Sequence, residues 1–265
     1  MIRSLAPLAA LALTSCFTIG DANQPIPTQT VAATQASGER VMVVVLPGFG
    51  IDDADLRKHG VADVIHKAWP QADVVLTGAA FDYYRKGKLV ARLQDEIVSP
   101  AREHGYRQVW IAGASMGGMG ALLYEREHPG AATGVVLLAP VLGSDALLDE
   151  IRKAGGPQQW DPGPLPAEMN AGNYQRQVWK MIKGWGQDPE LGARVWLTCG
   201  VNDPLLPDVR TLAKALPATH YLERAGGHWW SFFLPAAQEI FARIQEQQKE
   251  RLHTRDAGDA KEKPG

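Results

Sequence analysis

The sequence predicts an α/β domain, a mostly parallel sheet of about six strands with helices on both faces. Three observations carry this. Short apolar runs recur along the chain, helical patterns alternate with them, and 265 residues of 45% hydrophobic content suffice for one sizeable core.

The run at 41–46 is β-branched and unbroken by polar residues, the pattern of a strand covered on both faces. Similar runs at 72–76, 108–112, 134–138, 193–197 and 219–222 supply the other strands. Between them, Leu89, Leu93, Ile97 and Ala101 recur every four residues. A further helix is predicted from 116 to about 127, and the last is centred on Ile240, Phe241 and Ile244. One interval breaks the rhythm. Residues 143–190 hold Trp160, Trp179, Trp185 and a proline-rich stretch, far more chain than a crossover needs. They read as a small cap inserted over one end of the sheet in a domain spanning 40–246.

The flanks differ in character. Residues 1–15 combine an early Arg3 with an apolar stretch too short to span a bilayer, the pattern of a signal peptide. Leu13-Thr14-Ser15-Cys16 resembles the lipobox of bacterial lipoproteins. That resemblance implies a lipidated Cys16, export, and a membrane anchor facing the periplasm or cell exterior. Residues 16–39 are polar, small or proline-bearing and read as a flexible tether. Residues 247–265 are charged and read as a disordered tail. A net charge of −2 without a basic cluster argues against nucleic acid as a partner. With Cys16 and Cys199 the only cysteines, no disulfide is expected inside the domain.

The chemistry-bearing motif is Gly113-Ala114-Ser115-Met116-Gly117, a G-x-S-x-G between a predicted strand and a predicted helix. A serine on so sharp a turn is presented in strained backbone, and flanking side chains would collide with the neighbouring strand or helix; glycines remove that crowding. The helix start then aims free N–H groups at the reacting centre. A phosphate-cradling loop is the competing reading, but the lysine of a P-loop is missing and the glycine spacing does not match a dinucleotide fingerprint. Two further residues fit Ser115 as a nucleophile. Asp203 lies just beyond the predicted strand at 193–197, where a carboxylate can hold a histidine tautomer. A helix-capping role is the alternative, and Asp208 is better placed for it. His228 follows Gly226 and Gly227 in the loop before the last helix. Serine, then acid, then histidine is the chain order of this arrangement.

With these residues in place, the chain resembles the α/β-hydrolase superfamily over roughly residues 40–245. The run from Ser115 to Leu122 is similar to the Ser-Met-Gly-Gly-x-Gly-Ala-Leu of esterase D-like enzymes. The resemblance implies the α/β-hydrolase fold in trimmed form and hydrolysis of carboxylic esters through an acyl-enzyme, with Ser115 as nucleophile, His228 as base and Asp203 as its partner. No cofactor or metal is expected. It also implies an oxyanion hole of two backbone N–H groups: Met116, and Phe49 or Gly50 from the loop where Pro47 replaces the usual histidine. Phe49 is the preferred second donor. Phe49, Met119, Trp229 and the cap tryptophans are expected to form an apolar pocket for a small acyl ester or thioester. A thioesterase or acyltransferase on the same three residues, and a catalytically silent lipoprotein that only binds, remain the alternatives.

Overall fold

The computed structural model describes residues 18–36 and 38–259; residues 1–17, on which the expected signal peptide and lipidated Cys16 fall, Ser37 and residues 260–265 lie outside the described residues. The elements in chain order are β1 (Thr28–Val31), β2 (Arg40–Leu46), α1 (Asp53–Lys58), α2 (Val61–Ala68), β3 (Ala72–Thr77) and α3 (Phe81–Arg85). A rod follows, made of α4 (Leu89–Leu93), a π-helical turn (Gln94–Val98) and α5 (Ser99–Glu103). Next come β4 (Tyr106–Ala114), α6 (Met116–Glu127), β5 (Gly134–Leu138), α7 (Asp145–Lys153), α8 (Tyr174–Trp185) and α9 (Pro189–Gly192). β6 (Val195–Gly200), α10 (Leu206–Ala213), β7 (Tyr221–Arg224) and α11 (Trp230–Asp259) complete the chain.

The sheet runs β1-β3-β2-β4-β5-β6-β7, parallel throughout except for β1, which pairs antiparallel with β3. Alternation along β2 explains the two cores. Val41, Val43 and Val45 pack with α1, α2 and α11, while Met42, Val44 and Leu46 pack with the helices of the opposite face. β4 sits at the centre, so the turn that follows it opens at the middle of the sheet's carboxyl edge.

Three expectations are corrected. The sheet has seven strands among the described residues, because the segment read as a tether contributes β1. That segment is packed rather than flexible: Ala22 and Ile26 are buried, and the Tyr83 hydroxyl donates to the Pro25 carbonyl at 3.0 Å. A four-residue edge strand of half-exposed side chains leaves no apolar run to detect, yet it covers the open edge of β3. The charged segment from 247 continues α11 as far as Asp259, since Gln, Glu, Lys and Arg are strong helix formers. Finally, the tryptophans of residues 143–190 are core rather than pocket residues. Trp160, Trp179 and Trp185 are buried and join the core cluster that includes α6.

Candidate active site

Ser115 stands between β4 and α6 with φ 55° and ψ −118°, a backbone region that costs a non-glycine residue on the order of 1–3 kcal/mol. The surroundings hold it there. Its N–H donates to the Leu138 carbonyl at 3.0 Å, and its own carbonyl accepts from Val141 N–H at 3.0 Å, so the end of β5 clamps the turn on both sides. The glycines are sterically required. A Cβ on Gly113 would lie 2.2 Å from the Gly117 carbonyl carbon, and one on Gly117 would lie 2.3 Å from the Leu46 oxygen. The elbow therefore closes only because two turns of backbone touch without side chains between them. Met116 is the first residue of α6, so its N–H has no acceptor within the helix.

Asp203 follows β6 in a tight turn, with its N–H on the Gly200 carbonyl at 3.0 Å. Its carboxylate is buried and fully committed: one oxygen accepts Leu205 N–H at 2.9 Å, the other accepts His228 Nδ1 at 2.8 Å. A carboxylate only accepts, so the ring carries its proton on Nδ1 and leaves Nε2 as the basic nitrogen. Phe233 meets the same ring edge to face at 5.1 Å. The loop bearing His228 is pinned beneath: Gly226 accepts from Asn202 N–H, and a Cβ on Gly200 would lie 2.4 Å from the Gly226 oxygen. Nearby, burial and then the Asp203 charge push the Cys199 thiol up to about 12, so it remains a protonated thiol beside the site.

Ser115 and His228 line one cavity of about 540 Å³. No hydrogen bond joins the Ser115 hydroxyl to the ring in this structure; contacts of this type tighten when a substrate fills the site. The cavity descends from these two residues between the sheet and the α2–α11 layer, where Val61, Ile65, Ala237 and Phe241 form its apolar walls. Phe49 and Trp229 are among the residues that line it. Met119 is not. It is buried on α6 in the opposite core, because the helix that begins at Ser115 runs down the other face of the sheet. No residue of 143–190 lines the cavity either. The walls supplied by α2 and α11 were missed from the sequence, where their apolar periodicity reads only as core. The loop 47–50 lies against the elbow, a Cβ on Gly48 falling 3.8 Å from that of Ser115.

A mostly parallel sheet with a strained serine on a glycine-cleared turn after its central strand, and an acid–histidine pair delivered by later strands, defines an α/β-hydrolase. The sequence matches the Esterase family, described as "Putative esterase", over residues 20–244, and the chain belongs to that family and is an ester hydrolase. No curated protein matches it. Among solved structures it is similar to Est1E from Butyrivibrio proteoclasticus, with 13% identity, a TM-score of 0.58, and coverage of 85% of this chain and 95% of that one. It is also similar to the S-formylglutathione hydrolase FrmB from Staphylococcus aureus (13% identity, TM-score 0.55, 83% of this chain and 98% of that). A monoacylglycerol lipase from Paleococcus ferrophilus shares 18% identity at a TM-score of 0.51, over 83% of this chain and 99% of that. At these identities the likeness is one of fold.

Proposed function

We propose that the chain hydrolyses carboxylic esters through an acyl-enzyme, with Ser115 as nucleophile, His228 as general base and Asp203 holding the imidazole. The observation that carries this reading is the buried Asp203–His228 bond at 2.8 Å, set in the cavity that the strained Ser115 also lines. His228 Nε2 takes the Ser115 proton as Oγ bonds to the ester carbonyl carbon, and the carbonyl electrons move to oxygen. The amides of Met116 and Phe49 serve as donors to that oxyanion. Collapse expels the alcohol, which receives the proton from Nε2. Water then attacks the acyl-enzyme with His228 again as base. The apolar walls fit an aliphatic acyl group, and the open mouth gives water access, which favours hydrolysis over transfer to a second acceptor. The leader supports placement outside the cytoplasm on a lipidated Cys16.

Replacing Ser115 with Ala should lower turnover of p-nitrophenyl butyrate by about 10⁶-fold, the scale at which losing a triad serine acts. Melting should hardly change, because the hydroxyl holds no hydrogen bond in the fold. Labelling of the parent, but not the variant, by a fluorophosphonate would agree. Undiminished turnover in Ser115→Ala would end the assignment.

A further inference from the structure

Six large apolar side chains are exposed among the described residues: Ile19, Phe49, Phe81, Leu191, Val201 and Trp229. Five of them share one place. In a parallel sheet the carboxyl ends of the strands form one edge, and Phe49, Phe81, Val201 and Trp229 stand in the segments that leave β2, β3, β6 and β7 at that edge, Phe81 as the first residue of α3. Because β1 is antiparallel, the chain that enters it also runs along this edge, bringing Ile19 there. Its carbonyl accepts Asp82 N–H at 2.8 Å, beside Phe81. The Phe49 and Phe81 rings touch edge to face at 5.4 Å. Val201 is fixed to the opposite side by its N–H on the Arg224 carbonyl, in the strand that leads to His228. The apolar side chains therefore flank the cavity mouth from both directions. Trp229 is 70% exposed and Phe49 57% exposed, although both border the cavity. Leu191, in α9 just before β6, lies at the other edge.

Holding such side chains in water is unfavourable, and a rim of them around an opening marks a surface made to be covered. Two observations say by what. The rim is continuous with an apolar cavity of about 540 Å³, so an aliphatic chain could leave an apolar phase and reach Ser115 without crossing water. In addition, Thr18 is bonded to the Gly50 carbonyl at 3.2 Å, within this rim. Cys16 stands two residues earlier, and two residues span at most ~7 Å. An anchor on Cys16 would hold this face, and not the opposite one, against a bilayer. We propose that the rim of Ile19, Phe49, Phe81, Val201 and Trp229 seats on a lipid surface, and that the substrate is an acyl ester residing in that surface. The contact is peripheral, as no helix among the described residues is long and apolar enough to cross a membrane. The inference rests on the ester-hydrolase reading of the site and specifies where its substrate lies.

The test uses the full chain with phosphatidylcholine vesicles. In a Cys16→Ser background, an environment-sensitive fluorophore is attached through Phe81→Cys, Val201→Cys or, as a control, Leu191→Cys; the buried Cys199 thiol stays unlabelled. Vesicles should shift the emission of the probes at 81 and 201 to the blue and leave the probe at 191 unchanged. The double variant Phe81→Ser/Val201→Ser lies outside the cavity walls. It should hydrolyse dissolved p-nitrophenyl acetate at the parent rate and a vesicle-borne p-nitrophenyl palmitate about tenfold or more slowly. Unshifted probes at 81 and 201, or equal loss on both esters, would overturn the rim. Shifted probes on a protein that hydrolyses neither ester would instead overturn the hydrolase reading and leave the rim standing.

Discussion

The two faces of the sheet are covered by helices that look alike in sequence and pack very differently. One face is filled: α8 sends Trp179 and Trp185 inward, Trp160 joins them, and Tyr83 and Tyr124 close the rest. The other is hollow beside Ser115, where a space of about 540 Å³ lies between α11, α2 and the sheet with Ala237 among its walls. Interiors pack to near-crystalline density when nothing is to be admitted. A void that opens on Ser115 is thus what supports the proposal of a substrate on the α2–α11 face, and no residue of the tryptophan-rich insertion lines it.

Exchanging the character of the two faces should break this contrast. The largest effect is expected from Trp179→Ala on the filled face. It removes a fully buried ring and the 2.7 Å indole bond to the Leu142 carbonyl, and truncations of this kind cost about 3–5 kcal/mol. Denaturant melts should register that loss, while relative rates across a p-nitrophenyl acyl series stay as in the parent. A changed chain-length preference would place the insertion at the substrate after all. Ala237→Phe on the hollow face should do the converse. Added bulk in a packed core costs ~1–3 kcal/mol, but here the cavity receives the ring and stability should hold. Long acyl chains should lose kcat/KM against acetate, at about 0.8 kcal/mol for each methylene excluded.

How much of this was legible in the sequence follows from the range over which each feature is determined. The elbow could be read because its constraint is local: Gly113 and Gly117 are each other's neighbours in space as well as in sequence. Asp203 and His228 could be read because chain order and strand ends are enough to bring them to one edge. β1 could not, since a half-exposed four-residue strand gains its pairing from β3, over forty residues away. Met119 was expected at the pocket because it is apolar and close to Ser115 in sequence, whereas α6 carries it along the other face into the opposite core. The cavity walls were illegible for a simpler reason. Val61, Ile65 and Phe241 have the periodicity of core residues, and only their arrangement in three dimensions shows that they border a void.

The smallest expected effect sharpens the boundary of the filled face. Ala22 and Ile26 belong to its core, yet they come from the segment that precedes β1 and are held by polar contacts. Ile26 N–H donates to Glu96 at 2.8 Å, and Ala22 N–H donates to Asp82 at 3.0 Å. The Ala22 amide above all, then Lys86 and Arg85, hold the Asp82 carboxyl well below the usual carboxylate range. A carboxyl depressed on folding contributes stability that is complete above its unfolded value near 4 and is lost as pH falls through the folded one. Below about pH 4 the segment should therefore loosen from the filled face, seen as faster amide exchange at Ala22 than at Val44 in the sheet beneath. Asp82→Asn keeps an oxygen for the Ala22 amide but has no proton to gain, so its exchange ratio should be flat over the same range. If parent and variant give the same acid profile, the N-terminal segment is held by Ala22 and Ile26 burial alone, and the polar clamp is incidental.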